Sequence, residues 1–311
     1  MKKYFRELSV AAALAILLLA LAVFAPSFYE PQPLLSLSAN SASSLIIACG
    51  MALVIIAREI DISVGSMFAV CSVCAGLLAT MHWPLIAVIA ASVVIGAVFG
   101  AFNGALVAGL GLPSIVVTLA TMVTWREGLR WLRQGEFVNL PSGMQWFGLS
   151  QAAGQWTIVG VALLILVVLA IAMRHCSAGR FIYAVGSDAE VARLSGISPR
   201  LTTFLVFVFM GALVGLAAMM NIVQSPQVDP QSGTGLELKV IAAAVVGGVA
   251  ISGGRGNLWG VFVGLLLLAC ISPALTHLHI QAYWEKAIQG LIILLAVVAE
   301  GARTRKALDH G

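Results

Sequence analysis

The sequence predicts an all-α membrane protein with about ten transmembrane helices. Hydrophobic residues make up 60% of the chain and charged residues 10%, and the mean hydropathy is +1.02. These values lie outside the range of soluble proteins. Apolar runs of about twenty residues, each long enough to cross a bilayer as a helix, recur along the chain. We therefore expect residues 1–311 to form a single transmembrane domain.

The apolar runs give ten candidate spans. They cover residues 8–25, 41–57, 64–80, 85–108, 113–132, 156–173, 203–223, 239–251, 257–276 and 283–300. The eighth run is short and is compatible with a half-helix or a re-entrant segment, so the sequence allows eight to eleven crossings. The first run resembles a signal peptide, because lysines precede it and Ala20 to Ala22 resemble a cleavage site. It is long for that role, and a membrane span is the favoured interpretation.

Lysine and arginine predict the orientation, because cytoplasmic loops of membrane proteins are enriched in both. With the N-terminus inside, 12 of the 17 fall on the cytoplasmic side: Lys2, Lys3, Arg6, Arg58, Arg174, Arg180, Arg193, Arg200, Arg255, Arg303, Arg305 and Lys306. The other five are Arg126, Arg130, Arg133, Lys239 and Lys286. An even number of crossings keeps the basic C-terminal residues inside as well, so both termini are predicted to be cytoplasmic.

Two glycine series repeat every four residues, which places each series on one face of a helix and lets a neighbouring helix approach closely. They are Gly96, Gly100 and Gly104, and Gly256, Gly260 and Gly264. The surrounding strings, GAVFGAFNGALV and GNLWGVFVGLLL, resemble each other, and their helices run in opposite directions on the predicted topology. This is compatible with an inverted repeat, a common plan in transporters. Chance recurrence of glycine in apolar sequence is the alternative.

Three charges and two serines interrupt the apolar sequence in the string REIDISVGS, residues 58–66. One interpretation is a tight cytoplasmic turn in which Asp61 or Ser63 caps the next helix. The other is a broken helix whose polar groups face a solute path, because irregular backbone at membrane depth requires a cavity or burial in protein. The candidate path residues are Glu59, Asp61, Ser63, Gly65, Ser66 and Asn103.

Five glycines in residues 246–256 resemble a phosphate-binding loop, but no Lys-Ser or Lys-Thr pair closes it or occurs anywhere in the chain. A tight turn that holds Arg255 at the cytoplasmic face is the favoured interpretation. Cys71 and Cys74 lie one helical turn apart inside a span, without partner histidines, so apolar packing explains them better than metal binding. We expect no metal, no cofactor and no catalytic residues in this chain.

Four charged residues share one helix face at the outer end of the fifth span: Arg126, Glu127, Arg130 and Arg133. An interfacial face, supported by Trp125 and Trp131, is the favoured interpretation. A charged rim that contacts a docking protein is the alternative. The loop that follows, residues 134–155, is the longest predicted external segment and the expected contact for an external partner.

A polar island occupies residues 179–196 between two long apolar runs. Ser187 and Glu190 have the spacing of an N-terminal capping box, and Gly196 stands where a C-terminal cap belongs. The residues that share one face of the resulting short helix are Ala189, Ala192 and Arg193. We interpret it as a docking helix outside the membrane. A solvated loop with fortuitous cap residues is the alternative.

This island resembles a known motif. The string Glu190-Val191-Ala192, followed after three residues by Gly196, is similar to the E-A-A-x-x-x-G signature of the cytoplasmic coupling loop in membrane subunits of bacterial ABC importers. The strings GRFIYAVG, ARLSGI and DISVGS and the glycine cluster 246–256 look more specifically like ribose-type sugar permeases, from about residue 40 to residue 300. Val191 in place of the second Ala, and the lack of I-x-L-P downstream, are departures that fit the sugar subfamily.

The resemblance implies the permease subunit of a binding-protein-dependent ABC importer in the bacterial inner membrane. The implied solute is a neutral monosaccharide or sugar-like molecule, such as ribose, rhamnose or a furanosyl signal. The coupling loop would cover about residues 174–202, with candidate coupling residues Asp188, Glu190, Ala192, Arg193 and Gly196. The implied partners are a cytoplasmic ABC ATPase subunit that binds the ATP, a second permease subunit (a copy of this chain or a paralogue), a periplasmic sugar-binding protein and membrane lipid, with no nucleic acid.

Two other functional classes fit the residues less well. A secondary transporter would carry buried Asp, Glu, His or Arg along an ion route, whereas here such groups nearly all lie at predicted helix ends, with Asp61 the main exception. A membrane enzyme would need a convergent catalytic set, and the sequence has no HExxH, nucleophile elbow or paired-carboxylate pattern. A secondary transporter of small neutral solutes stays as the alternative, and no enzyme activity is expected.

Overall fold

The computed structural model describes residues 5–277 and, beyond them, residues 281, 284, 286–288, 290, 291, 294 and 298. Residues 5–277 form the helices α1 (Phe5–Phe24), α2 (Pro31–Ile56), α3 (Val64–Thr80), α4 (Leu85–Gly104), α5 (Ser114–Arg133), α6 (Gln151–His175), α7 (Ser177–Ser187), α8 (Ala189–Leu194), α9 (Pro199–Ile222), α10 (Leu236–Val246) and α11 (Leu258–His277). The strands β1 (Val138–Asn139) and β2 (Gln227–Val228) form a small antiparallel sheet.

Five helical stretches are long and apolar enough to cross a membrane: Pro31–Ile56, Leu85–Gly109, Gln151–His175, Pro199–Ile222 and Leu258–Thr276. Two shorter apolar stretches, Val10–Phe24 and Val64–Thr80, accompany them. The chain is therefore an all-α membrane protein. Each of the first nine predicted spans overlaps a helix. The tenth, 283–300, and the chain termini lie largely outside the described residues, so the number of crossings and the side of the termini stay predictions.

Proline and serine residues determine where several of the helices begin. Pro31 and Pro199 occupy the first turns of α2 and α9, where the missing backbone N–H leaves no hydrogen bond unmade. The hydroxyl of Ser198 accepts a hydrogen bond from the Leu201 backbone N–H at 3.3 Å. Pro84 and Pro113 immediately precede α4 and α5 in extended conformation, and because proline disfavours helical conformation in the residue before it, neither helix extends further towards the N-terminus.

Helix α2 lies at the centre of the bundle. All of its residues from Leu45 to Ile56 are buried, and it contacts α6, α9, α10 and α11. A helix that is apolar on every side is stable only when other helices enclose it. Apolar side chains on the outer helices, such as Ile86, Val116 and Leu164, are exposed instead, and these surfaces are available to lipid.

Helices α4 and α9 form the most extensive helix pair of the described chain. A Cβ atom on Gly96 would overlap the carbonyl oxygen of Gly211, and one on Gly215 would overlap that of Ser92. The Ser92 hydroxyl donates to Gly215 O at 2.7 Å. Glycine therefore lets the two backbones touch, as in other close membrane helix pairs.

Two irregular segments interrupt the helices, and the helix that follows the first segment contacts the second. Residues 57–63 connect α2 to α3, and residues 223–235 connect α9 to α10. A Cβ atom on Gly65 would overlap both Glu237 Oε2 and Gly233 O, so the first turn of α3 touches the segment that leads into α10. Irregular backbone at membrane depth is tolerated where it is buried in protein or lines a cavity.

Helix α10 has 11 residues, so it is about 16 Å long, roughly half the thickness of a hydrocarbon core. The predicted eighth span, 239–251, is thus a half-helix, which its short apolar run allowed. It ends before Gly247 because Gly248 has φ +93°, a left-handed conformation that cannot continue a helix. Gly254 N–H, shortly beyond α10, donates to Ile56 O at 2.8 Å. The turn after α10 therefore contacts the end of α2.

Candidate functional site

The polar island folds into two short helices, α7 and α8, between the long helices α6 and α9. Helix α7 is amphipathic: it buries Ile182 and Val185 and contacts α2, α6 and α9. Helix α8 has six residues, of which only Ala192 is buried. The island is thus an ordered structure on the surface of the bundle.

Asp188 is the N-cap of α8. Its Oδ1 accepts hydrogen bonds from the backbone N–H groups of Glu190 and Val191, at 2.9 and 3.0 Å. The predicted capping box of Ser187 and Glu190 is wrong, because Ser187 is the last residue of α7 and the Glu190 carboxylate binds Arg193 instead of reaching back to the helix start. Asp is as good an N-cap as Ser, and it takes that position one residue later.

Helix α8 ends in a Schellman motif. Gly196 has φ +83°, its N–H donates to Arg193 O at 3.0 Å, and Ile197 N–H donates to Ala192 O at 3.0 Å. These two bonds satisfy carbonyl groups that have no partner at a helix end. Gly196 therefore occupies the C-terminal cap position that the sequence predicts for it.

The outer surface of α8 combines apolar and charged side chains. Val191 and Leu194 are 58% and 75% exposed. The Arg193 guanidinium donates to the Glu190 carboxylate at 2.6 and 3.0 Å, which holds the pKa of that carboxyl below its ordinary value. The pair therefore stays ionised at neutral pH. Exposed aliphatic side chains beside an ion pair form a surface suited to contact with another protein.

Helix α7 joins α8 to the core of the bundle. Gly186 packs so closely on the carbonyl oxygen of Ile56, the last residue of α2, that a Cβ atom would overlap it. Gly254 N–H donates to the same oxygen at 2.8 Å, and the Tyr183 hydroxyl donates to Gly256 O at 2.8 Å. The exposed helix is thus tied by backbone contacts to the end of α2 and to the glycine-rich turn before α11.

The end of α2 is conformationally strained. Arg58 has φ +70°, while its N–H donates to Ile55 O at 2.9 Å and Glu59 N–H donates to Val54 O at 3.0 Å. This is a Schellman motif with arginine where glycine is usual, which costs about 1–2 kcal/mol. A Cβ atom on Gly253 would lie 2.7 Å from Arg58 Cβ, so the strained residue packs directly on the glycine-rich turn.

Four of the six candidate path residues form one buried cluster. Asp61 Oδ1 accepts hydrogen bonds from the Ser63 backbone N–H at 2.9 Å and from its hydroxyl at 2.6 Å. Asn103 Nδ2 donates to the Ser63 hydroxyl at 2.8 Å, and the Ser66 hydroxyl donates to Ser63 O at 2.8 Å. All four side chains are fully buried. The cluster connects residues 57–63 to α3 and α4.

The other two candidate path residues have different neighbours. Glu59 lies beside the Ser114 hydroxyl of α5. The next residue, Ile60, also contacts α5, because Thr118 Oγ1 donates to Ile60 O at 3.3 Å. Gly65 faces Gly233 and Glu237, as described above. Residues 57–66 therefore contact α4, α5 and the start of α10.

The predicted packing glycines lie between helices with one exception. Gly96, Gly100 and Gly104 all face α9. Gly264 faces Ala243 and Gly247, at the end of α10. Gly256 precedes α11, which begins at Leu258, and faces Ile56. The second series therefore does not occupy a single helix, because Asn257 and the glycines before it form a turn.

Several contact residues were missed by sequence reasoning. Gly211 and Gly215 on α9 have the same four-residue spacing as the series on α4, so a search for that spacing finds them. Val191 and Leu194 can be identified as contact candidates because a six-residue helix leaves most of its side chains exposed. Gly186 and Tyr183 have no local signal, because their partners Ile56 and Gly256 are distant in sequence.

The described residues contain no group of three or more His, Cys, Asp or Glu side chains arranged to hold a metal ion. Cys71 and Cys74 are free thiols on α3.

Comparison with known proteins identifies the family. The model of the family described as "Branched-chain amino acid transport system / permease component" matches residues 34–297. The chain belongs to this family. The permease is 36% identical over 307 residues to the autoinducer 2 import system permease protein LsrC of Enterobacter sp. (strain 638), which covers 98% of this chain and 89% of that protein.

A second relative is the ribose import permease protein RbsC of Escherichia coli (strain K12), 29% identical over 307 residues, with 97% of this chain and 96% of that protein covered. No solved structure matches the permease. The predicted resemblance to ribose-type ABC importer permeases is confirmed. The chain is a transport permease component and not an enzyme, in agreement with its multi-pass apolar helices.

Proposed function

We propose that this permease translocates a neutral monosaccharide or sugar-like solute, driven by ATP that a separate cytoplasmic subunit hydrolyses. Two relatives are named for import of ribose and of autoinducer 2, and both names fit the predicted solute class. The permease would act with a second permease subunit, a copy or a paralogue, and with a periplasmic sugar-binding protein. Its place is the bacterial inner membrane.

This proposal rests on the structure of helix α8. The helix is capped by Asp188 at one end and by Gly196 at the other. The caps hold its six residues in helical conformation although only Ala192 is buried. A helix this short is not stable in isolation, so its order comes from these caps and from α7. A rigid, exposed element that is fixed to the core suits the transmission of force from a docked ATPase.

The force would travel along a defined chain of contacts. A movement of α8 displaces α7, and α7 rests on the Ile56 carbonyl through Gly186. The strained Arg58 follows directly, and the Asp61 cluster lies three residues further on. Strained backbone at such a place marks an element that can adopt a second conformation. Residues 57–63 are therefore the proposed moving part, since they contact α4 and α5 and lead directly into Gly65, which contacts the start of α10.

The Asp61 cluster fits a moving part better than a plain turn. Asp61 does form a local turn with Ser63, as a capping residue would. However, Asp61 Oδ2 and Asn103 Oδ1 are buried without a hydrogen-bond partner among the described residues. Such an atom finds its partner in ordered water, in a ligand or in a second conformation, and the last two suit a moving part.

The alternative, a secondary transporter, is not favoured. Such a protein has no use for a rigid docking helix, and both named relatives are permeases of import systems. Asp61 could serve an ion route only if its carboxylate exchanged with water, and it is fully buried among apolar helices.

The docking proposal predicts that Leu194→Asp reduces copurification of a cognate ABC ATPase about tenfold, equivalent to about 1.4 kcal/mol of binding free energy. Leu194 is the most exposed apolar side chain of α8, and a carboxylate there has to be desolvated in any apolar contact. The measurement is a quantitative pull-down from detergent-solubilised membranes, together with ATPase activity. The permease alone should hydrolyse no ATP.

Leu149→Asp is the matched control. Leu149 is also an exposed leucine, but it precedes α6, at the opposite end of that helix from the island. Its substitution should leave the ATPase bound. Equal retention of the ATPase by Leu194→Asp and by Leu149→Asp would remove α8 as the docking element.

The Asp61 cluster predicts that Asp61→Ala and Ser63→Ala lower solute uptake at least fivefold while the ATPase still copurifies, because the cluster lies in the moving segment and not in the docking surface. Uptake is measured in proteoliposomes with ribose as the probe. Ser72→Ala is the control, since Ser72 is equally buried on α3 and takes no part in the hydrogen bonds of the cluster. Wild-type uptake by both cluster variants would return residues 58–66 to the role of a simple turn.

A further inference from the structure

A polar groove runs along α5, beneath the segment that leads into α10. Its inner part is a cavity of about 320 Å³ that Arg126, Thr234 and Glu237 line, and its outer part is a cavity of about 450 Å³ that Gln134 and Gly135 line. Glu127, Arg130 and Gln231 line both parts. The two cavities therefore form one continuous groove.

The groove extends along much of α5. It reaches from Met122 to Gly135, which is about 20 Å along a helix axis. Helix α5 packs beside the apolar helices α3 and α4, and its second half carries all four of its charged side chains. Charged groups within a membrane bundle face a water-filled cavity or each other. A groove of this kind accounts for charges that begin halfway along the helix.

The inner end of the groove is built from half-buried polar groups. Arg126 Nη1 donates to Ser232 O at 2.9 Å. Arg126 Nη2 lies 3.4 Å from the position that a Cβ atom on Gly65 would take, and Glu237 Oε2 would overlap the same position. Glu237 Oε2 is buried and has no hydrogen-bond partner among the described residues. A solute hydroxyl would supply the missing donor.

The charges of the groove balance. Arg126 and Arg130 contribute two positive charges, Glu127 and Glu237 contribute two negative charges, and Gln231 and Thr234 add an amide and a hydroxyl. The lining therefore offers many donors and acceptors without a net charge. An anion or a cation gains little from such a lining, whereas a neutral molecule with several hydroxyl groups can pair with both kinds of group at once.

We propose that this groove is a solute-contact site of the permease, in which Glu237, Thr234 and Arg126 bind hydroxyl groups of a neutral polyhydroxylated solute on its way from the external side. The inference rests on the proposed function for its direction of transport and its solute class. It adds a site outside residues 59–66, and Gly65 joins the two, because its missing side chain leaves room for Glu237 at the start of α3.

The test compares uptake of ribose and of 2-deoxyribose by proteoliposomes that contain the complete importer with one and the same binding protein. In Glu237→Gln and Thr234→Ala, we expect ribose uptake to fall at least fivefold and the ratio of the two uptake rates to change at least threefold. A hydrogen-bond partner that is lost affects the two sugars unequally. Glu30→Gln is the control, because Glu30 is an exposed carboxylate just before α2 that lies outside both the groove and the loop 134–155.

A residue that only maintains the fold would lower both rates in the same proportion, and an unchanged ratio in both variants would overturn the proposal. Accessibility gives a second measurement. Thr234→Cys, in a Cys176→Ser background, should react with a membrane-impermeant thiol reagent added from outside, and absence of reaction would also overturn the proposal. If the wild-type importer takes up neither sugar, the proposed solute class fails, and the thiol reaction still decides whether the groove is open to the external side.

Discussion

Replacement of Gly211 by Val is expected to leave about tenfold less folded permease in the membrane, because overpacking of well-packed cores costs about 1–3 kcal/mol even where side chains can adjust. Here the neighbours are backbone atoms. A Cβ atom on Gly211 would overlap Gly96 O and lie 2.9 Å from Gly100 N. Only separation of α4 from α9 relieves that contact, and this is the most extensive helix pair of the described chain.

The amount of folded protein is measured by size-exclusion chromatography of a fluorescent fusion after extraction in mild detergent. Gly160→Val is the matched control, because it places the same side chain on α6, where no atom lies within 4 Å of the new Cβ. Any cost of valine in a helix is then common to both variants. A Gly211→Val variant with the yield and elution profile of Gly160→Val would mean that α4 and α9 do not pack through glycine.

The α4–α9 pair also shows how far sequence reasoning extends. The four-residue spacing of Gly96, Gly100 and Gly104 predicts a close helix contact, and the structure places these residues against another helix. The spacing does not say which helix. Gly211 and Gly215 complete the contact from a helix that begins almost a hundred residues later, and only the three-dimensional path of the chain brings the two sets together.

The two ends of α8 show a different limit of prediction from sequence. Gly196 is predictable as a C-terminal cap because few other residues adopt φ +83° readily. The N-cap residue is not predictable, since Ser187 and Asp188 are adjacent and are equally good N-cap residues. The choice depends on where α7 ends. Its last residue is Ser187, one position after the glycine that packs on Ile56, and the local sequence alone does not give this end point.

The groove shows the largest difference between the sequence-based prediction and the structure. From the sequence, Arg126 and its charged neighbours read as an interfacial face, because nothing local relates them to residues 230–237. In the structure, the segment before the half-helix α10 folds beside α5 and places Glu237 next to Arg126 and Gly65. The short eighth apolar run was a sign of irregular backbone, but not of what the irregular backbone touches.

The second large effect is expected at the contact between α7 and α2. Gly186→Ala should abolish coupling, so that solute-loaded binding protein no longer stimulates ATP hydrolysis and uptake falls at least tenfold. The physical reason is that the new Cβ would overlap Ile56 O and lie 2.8 Å from Gly254 N, both backbone atoms. The ATPase should still copurify, because α8 and its exposed residues are unchanged.

Gly160→Ala is the control, since alanine in place of a helical glycine favours either helix by about 1 kcal/mol and only Gly186 has a backbone neighbour in the way. Tyr183→Phe is a milder second variant. It keeps the ring and removes the hydroxyl that donates to Gly256 O at 2.8 Å, at a cost of about 1 kcal/mol. Its uptake should fall between those of the wild type and Gly186→Ala, with normal assembly. If both α7 variants hydrolyse ATP and transport as the wild type does, force reaches the translocation path by another route than the end of α2.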